Sequence, residues 1–124
     1  IETLYPYMLT QANLGRIPFT RAVAVCATNP ARLFGLHDRK GAIRPGLDAD
    51  LVVFDPKAQG VVHAQALHGG LDHTIWENTA LSGLVTATWL RGNLVHEDGR
   101  FTGERGQGRF QPCKPVRFES PALD

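Results

Sequence analysis

Three histidines and an aspartate lie in one stretch of the chain, and these residue types bind transition metals. His63, His68 and His73 are five residues apart, and Asp72 adjoins the last of them. Imidazole and carboxylate are both zinc ligands. A spacing of five matches neither one face of a helix nor one face of a strand, and a Gly-Gly pair interrupts the stretch. We therefore interpret the histidines as loop residues, with a metal site as the alternative.

A second candidate is the acidic group formed by Asp48, Asp50 and Asp55. Paired carboxylates perform acid–base catalysis or bind a hard cation. The first two follow a Pro-Gly turn, however, and Asp55 directly precedes Pro56. Aspartate is favoured in turns because its side chain bonds nearby backbone N–H groups. The pattern favours a structural role for all three over a catalytic one.

Residues 103–109 read Gly-Glu-Arg-Gly-Gln-Gly-Arg and superficially resemble a phosphate-binding loop or an arginine–glycine RNA segment. They lack the Gly-Lys-Ser/Thr ending, the flanking strand and helix, and any Arg-Gly-Gly repeat. A turn-rich tail that wraps a neighbouring surface is the better interpretation.

The remaining chemistry-bearing residues form no recognisable site. Trp89 belongs to an alternating strand and is expected in a core or interface, whereas Trp76 is either a contact anchor or part of a lid. No Ser–His–Asp set or Cys–His pair is indicated. We expect no catalytic, metal-binding or substrate-binding residue in this chain.

The element that organises the chain is residues 41–56, Gly-Ala-Ile-Arg-Pro-Gly-Leu-Asp-Ala-Asp-Leu-Val-Val-Phe-Asp-Pro. Its Pro-Gly pair predicts a tight turn. The apolar run 51–54 predicts a short strand buried on both faces, and Pro56 is expected to stop it. This segment joins a helical half to a strand-rich half.

Three helices are predicted before that joint. The first has Thr3 as N-cap, an apolar stripe of Leu4, Met8 and Ala12, and a stop at Gly15. The second begins near Pro18, and one of its faces carries Phe19, Val23 and Cys26, with small alanines between them. The third spans 31–34, with Asn29 as N-cap, Pro30 at the first position and Gly35 at its end.

Strands are predicted after the joint. Residues 61–64 suggest a short strand, and 65–83 a long loop. Residues 84–90 alternate, with Val85, Ala87 and Trp89 on one face. A Gly92-Asn93 turn would return the chain as strand 94–96, and an Asp98-Gly99 turn follows. Helices first and strands last indicate an α+β piece or parts of two domains.

Composition excludes several classes of protein. The 124 residues suffice for one ordinary domain, and a hydrophobic fraction of 43% argues against disorder. A net charge of +1 produces no electrostatic field strong enough to indicate binding to nucleic acid or an anionic membrane. No apolar run approaches the length of a membrane-spanning helix. Cys26 and Cys113 are expected to be reduced thiols in a cytoplasmic protein. The chain begins at Ile1 without a Met, so we expect a piece of a longer protein.

Two motifs then point to a family. Residues 28–36, Thr-Asn-Pro-Ala-Arg-Leu-Phe-Gly-Leu, followed by 40–56 resemble the C-terminal signature of the amidohydrolase superfamily. Residues 88–101 and 106–110 are similar to the cyclic-amide hydrolases, namely hydantoinases, dihydropyrimidinases and allantoinases, with class I dihydroorotases nearby. Ile1-Glu2-Thr3 matches the segment after the last barrel strand in these enzymes. The resemblance runs from Ile1 to about Phe110.

The resemblance implies a (β/α)₈ TIM barrel with two metal ions, usually zinc, and a small β-sandwich built from both chain ends. A metal-bound hydroxide then attacks the ring amide. The family's ligands (a His-x-His pair, a carboxylated Lys, two further His and an Asp) all lie upstream, so none maps onto His63, His68 or His73. Residues 1–40 would be the last barrel helices, 41–102 the composite sandwich, and 103–124 an irregular tail that acts as an interface arm.

The implied function is the opening of a hydantoin, dihydropyrimidine or allantoin-type ring by the parent protein. This chain alone is expected to be inactive. The partners are a small cyclic amide and further copies of the protein, as a dimer or tetramer, with no nucleic acid and no membrane. The alternative is a non-catalytic assembly module derived from the same superfamily.

Overall fold

The computed structural model of the protein describes residues 2–115. Ile1, which belongs to the family resemblance, and residues 116–124 of the expected interface arm lie outside the described residues. Helices come first and strands last, as predicted. The helical segment comprises α1 (Leu4–Asn13), α2 (Phe19–Val23), a π-helical turn (Ala24–Thr28) and α3 (Asn29–Leu33).

Helix α1 lies where the sequence predicts it, and Gly15, with φ +71°, follows its end. Its buried face differs from the predicted stripe, however. Leu9, Thr10 and Ala12 are buried, whereas Leu4 is 59% exposed. The residues that pack are those facing the sheet, and sequence spacing alone does not show on which side the sheet lies. Thr3 occupies the N-cap position but makes no side-chain capping bond.

Helices α2 and α3 form one continuous helical run, so the predicted break at Asn29 is wrong. Asn29 has helical dihedrals and is the first residue of α3, with no side-chain cap at the start of that helix. Pro30 lacks an N–H, and in an α-helix its ring would clash with the carbonyl four residues earlier. The π turn at Ala24–Thr28 widens the helix just before this proline and accommodates it. Gly35, with φ +65°, ends the run as predicted.

The strands form one antiparallel sheet in the order β1-β2-β3-β4. They are β1 (Leu51–Val61), β2 (Ala80–Leu90), β3 (Asn93–Glu97) and β4 (Arg100–Phe101). In the longest ladder Leu51 pairs with Trp89 at one end and Val61 pairs with Ala80 at the other.

Three predictions about the segment that forms β1 are wrong. It runs through Pro56 instead of stopping there, because β1 is an edge strand and its ladder with β2 is irregular between Asp55 and Gln59. Its apolar residues are not buried on both faces, since Val52 is 41% and Val53 46% exposed. The separate strand predicted over 61–64 is absent, because β1 continues to Val61 and a 3₁₀ turn (Ala64–Ala66) follows.

Strand β2 begins at Ala80, not at residue 84, and so shortens the predicted loop. Gly83, with φ +87°, allows the Phe54 ring to lie against its backbone, and a Cβ there would overlap the ring. The β2–β3 turn consists of Arg91 (φ +49°) and Gly92 (φ +80°), one residue earlier than predicted. The predicted Asp98-Gly99 turn is confirmed, since both residues have positive φ between β3 and β4.

Helix α1 joins the two halves by packing against β2. Asn13 Nδ2 donates to the Pro56 carbonyl at 2.8 Å and to Ser82 Oγ at 2.9 Å. The Phe19 and Phe54 rings also meet, with centroids 6.0 Å apart. The buried apolar residues are small apart from one leucine: Leu9, Ala12, Ala22, Ala31, Val62, Ala64 and Ala87. Within residues 2–115 no helix is long and apolar enough to cross a membrane.

Candidate functional site

The three histidines do not come together. The Nδ1 atom of each lies 2.8–2.9 Å from a different carboxylate: His63 from Glu77, His68 from Glu2, and His73 from Asp72. Among the described residues no group of three or more His, Cys, Asp or Glu side chains could hold a metal ion. The three histidines lie outside the helices and strands and have separate carboxylate partners, as expected of loop residues.

Two of these carboxylates fasten the loop that follows β1. One carboxylate oxygen of Glu77 lies 2.9 Å from His63 Nδ1, and the other accepts the Ala64 N–H at 2.7 Å. The His63 hydrogen bond lowers the pKa of Glu77, and the Ala64 N–H lowers it further. Glu2 likewise accepts the His68 backbone N–H at 2.9 Å. Burial works to raise the pKa of Glu2, but the His68 contacts outweigh it and lower the value.

Trp76 anchors the same loop. Its ring packs on Tyr7 of α1, with centroids 4.7 Å apart and planes inclined by 43°. Of the two interpretations of Trp76, the structure supports the contact anchor. Trp89 lies half-buried in β2 opposite Leu51 and Leu94, as an interior sheet residue should.

Of the acidic group, Asp48 and Asp50 meet at Lys40, just before β1. Lys40 Nζ lies 2.8 Å from Asp48 Oδ2 and also contacts Asp50 Oδ2. Its hydrogen bond lowers the pKa of Asp48. Burial works to lower the pKa of Lys40, but the two carboxylates outweigh it and raise the value. Asp55 is separate and accepts the Lys57 N–H at 2.8 Å.

Asp50 also binds the tip of the β2–β3 hairpin, which sequence reasoning missed. Asp50 Oδ1 accepts the Arg91 N–H at 2.8 Å, and the Ala49 carbonyl accepts the Gly92 N–H at 2.9 Å. We call Lys40, Asp48, Asp50 and Arg91 the joint cluster. Because every charged side chain in it is paired or bonded to backbone, the cluster positions these chain segments.

The glycine-rich segment 103–109 follows β4, but it lacks the helix that a phosphate-binding loop leads into, since no helix follows it before residue 115. Arg91 Nη2 donates to the Gln107 carbonyl at 2.5 Å. A polar cavity of about 610 Å³ lies here, lined among others by Asn93, Thr102, Glu104 and Arg109. The interpretation as a turn-rich tail is the one that fits.

The exposed apolar side chains are the most extensive unusual feature. On the helical segment Leu4, Leu14, Phe19, Val23, Leu33 and Phe34 are 41–59% exposed. Beyond it, Ile43, Ile75 and Phe110 are 88–91% exposed. An apolar groove of about 760 Å³ lies between α1 and the sheet, lined by Tyr5, Pro6, Leu81, Leu84 and Val85 among others. Contiguous exposed apolar surface marks an interaction site.

The described residues thus combine helices whose apolar faces are partly uncovered with an antiparallel sheet whose β1 edge is open. Residues 12–96 match the sequence profile of the amidohydrolase family. This chain belongs to that family.

Within the family, the chain is similar to hydantoinases and dihydropyrimidinases. The chain is 40% identical over 109 residues to a D-phenylhydantoinase of Escherichia coli, a match that covers 88% of this chain. It superposes on the D-hydantoinase (dihydropyrimidinase) of a Thermus species with a TM-score of 0.83 and 36% identity over 94% of this chain. For the dihydropyrimidinase of Brevibacillus agri the TM-score is 0.87, with 28% identity over 93%.

The chain is similar to only part of each of these proteins. It spans 23% of the length of the D-phenylhydantoinase and 25% of each of the two solved structures.

Proposed function

We propose that this chain is the C-terminal part of a hydrolase that opens a cyclic amide of the hydantoin, dihydropyrimidine or allantoin type. The observation that carries the proposal is that one superposition, on a D-hydantoinase with a TM-score of 0.83, covers 94% of this chain and so includes both its helices and its sheet. A superposition of one helix or strand alone would support only a shared motif, whereas this superposition includes both the helical segment and the sheet.

The role of this chain in such an enzyme is structural. In this proposal the exposed leucines and phenylalanines of α1–α3 pack against the inner parts of a (β/α)₈ barrel. The outer edge of β1, whose backbone groups lack a neighbouring strand in the described sheet, pairs with a strand from elsewhere in the protein. The joint cluster then sets the angle between the barrel helices and the sandwich sheet.

Metal ions in this proposal are held outside this chain. The described residues do not fit such a role, because their histidines are paired one by one with separate carboxylates and no three ligand side chains converge. We therefore assign no chemical step to residues 2–115. The specificity for one ring over another also depends on residues outside this chain.

The complete protein and the isolated 124-residue chain distinguish this proposal from an assembly module. We expect the complete protein, purified with zinc, to hydrolyse at least one of hydantoin, dihydrouracil and allantoin above a zinc-only blank. The isolated chain under the same conditions should match the blank. Failure of the complete protein on all three rings would overturn the proposal and leave the non-catalytic module; activity of the isolated chain would refute the structural role.

Oligomer formation is a further part of the proposal. Phe110 is 91% exposed in the tail, and an aromatic side chain in that position suits a contact with another copy. We propose a dimer or tetramer in the cytoplasm. Sedimentation of the complete protein and of its Phe110→Ser variant tests this, since a monomeric wild type contradicts it.

A further inference from the structure

The tail after β4 returns to the helical segment. Residues 103–115, which we call the strap, leave the sheet near Phe101 and end beside the C-terminal end of α3. The first fastening point is the Arg91 guanidinium, which donates to the Gln107 carbonyl at 2.5 Å. Arg91 is itself held by Asp50 through its backbone N–H. The start of the strap is therefore fixed to the joint cluster.

The second fastening point is steric. Gly35 ends the helical run, is buried, and has no side chain on the surface where the strap crosses it. A Cβ at Gly35 would overlap the Lys114 carbonyl oxygen and would lie 2.9 Å from the Lys114 nitrogen. Only glycine permits backbone to approach backbone this closely. The close approach thus depends on the residue type at position 35.

The third fastening point is an ion pair. Lys114 Nζ contacts Asp38 Oδ2, three residues beyond Gly35. The Lys114 hydrogen bond lowers the pKa of the Asp38 carboxyl. Exposed pairs of this kind contribute little stability by themselves. This one nevertheless fixes the direction in which the chain passes over the helix end.

From these three points we infer that the strap ties the C-terminal end of α3 to the sheet within one copy of the chain. Helix α1 is the element that packs most of the helical segment onto the sheet, and it lies at the opposite end of that segment. The strap supplies a second tie at the far end. It limits rotation of α3 relative to the sheet.

The test is chemical cross-linking of the complete protein. A carbodiimide joins an amine to a carboxylate that it contacts, so it should form an isopeptide between Lys114 and Asp38, identified by mass spectrometry. Mixed oligomers of ¹⁵N-labelled and unlabelled protein show whether the two residues come from one copy. We expect the isopeptide within one copy; its absence, or its formation only between copies, overturns the inference.

A matched pair of glycine variants tests the steric point. Gly35→Ala and Gly15→Ala both place alanine at a positive φ after a helix, at +65° and +71°. A Cβ at Gly15 meets nothing within 4 Å, whereas one at Gly35 meets the strap. We expect Gly35→Ala to lower the isopeptide yield about tenfold and Gly15→Ala to leave it unchanged. Equal yields in the two variants would show that the strap does not lie over Gly35.

Discussion

The helical segment and the sheet differ in how many of their large apolar side chains are exposed. The sheet pairs β2 on both sides and buries Ala87 and Gly83 within it. The helical segment buries Leu9 and several alanines, while its other large apolar side chains, Leu4, Leu14, Phe19, Val23, Leu33 and Phe34, are 41–59% exposed. In the sheet, the exposed large apolar residues lie on the edge strands β1 and β4, and none lies on the inner strands β2 and β3. Because burial of large apolar side chains stabilises a fold, a covering surface would stabilise the helical segment more than the inner strands.

The largest expected effect tests whether such a surface covers the helical segment. Phe34 is 56% exposed at the end of α3. If the rest of the complete protein covers it, Phe34→Ala should lower the free energy of unfolding by about 4 kcal/mol. Its exposed helical neighbour serves as the control, and Arg32→Ala should change stability by less than about 0.5 kcal/mol. Denaturant unfolding of the complete protein measures both, and a Phe34→Ala loss no larger than the control would show that this face stays uncovered.

The next-largest effect tests the packing of the Phe54 ring against Gly83 within the sheet. Gly83→Ala should cost about 3 kcal/mol, because the new Cβ overlaps the Phe54 ring and φ is +87°. Gly99→Ala is the matched control, since its φ is +79° but its Cβ meets nothing within 4 Å. It should cost about 1 kcal/mol. Urea unfolding compares the two, and similar losses would mean that backbone strain, not the Phe54 contact, dominates at Gly83.

A smaller effect is expected where the two halves meet. Thr10 is 2% exposed, and its Oγ1 accepts the Ser82 N–H at 3.1 Å. Thr10→Val keeps the shape but removes this acceptor, so we expect a loss of about 1–2 kcal/mol and faster hydrogen exchange at Ser82. Thr20→Val, on the exposed side of α2, should leave both measurements unchanged. Unaltered exchange at Ser82 in Thr10→Val would contradict the role of this bond.

The loop anchor should contribute less. Trp76→Leu removes the ring pair with Tyr7, which is worth about 1 kcal/mol. Thermolysin cleavage at the exposed Leu71 and Ile75 should accelerate severalfold as the loop loosens. His73→Ala is the control because the His73 side chain is 78% exposed. Equal cleavage of both variants would mean that the Glu2 and Glu77 contacts alone hold the loop.

The smallest effect concerns the joint cluster and depends on pH. The pKa of Asp48 in the folded protein lies below its ordinary value of 3.8, chiefly because Lys40 bonds the carboxylate. The pair therefore stabilises the fold above about pH 4, and this stabilisation is lost as the pH falls through the folded pKa. The pKa of Lys40 is raised above its ordinary value of 10.5, so its contribution to stability has the opposite pH dependence. That contribution is lost only as the pH rises through the pKa of Lys40 in the folded protein.

Unfolding measured between pH 7 and pH 3 checks this. The stability difference between wild type and Asp48→Asn should shrink as the pH falls. In a Lys40→Met background the effect of Asp48→Asn should be smaller and should depend less on pH, with the remainder due to Arg39, which lies 3.3 Å from Asp48 Oδ2. A constant difference across this range would show that the Lys40 contact does not govern the titration of Asp48.

Prediction from sequence succeeded where local chemistry decides the structure. The stops at Gly15 and Gly35 follow from positive φ, which glycine adopts without strain. The Asp98-Gly99 turn has the same cause, and Asp55 bonds a nearby amide as turn aspartates do. Family membership also followed from the motifs at 28–36 and 40–56, since their residues occur in the family's order.

Prediction failed where a distant contact overrides local preference. Pro56 did not end β1, because an edge strand needs no N–H on its open side. Pro30 did not begin a new helix, because a π turn absorbed it. The start of β2 was missed because a glycine and a serine obscured the alternation, although pairing with the end of β1 stabilises that stretch.

The amino-acid sequence by itself therefore determined the family, the order of helices before strands, the helix ends at Gly15 and Gly35, and the Asp98-Gly99 turn, since each depends on residues close together in the chain. Only the tertiary structure decided which carboxylate each histidine meets, that Asp50 holds the Arg91 turn, and that Lys114 crosses Gly35. Three of those contacts join residues far apart in the chain, since His68 and Glu2 are 66 positions apart, Asp50 and Arg91 are 41 apart, and Gly35 and Lys114 are 79 apart. Side-chain type alone cannot specify such pairings, because many acids and amides in the chain offer equivalent partners until the fold excludes all but one.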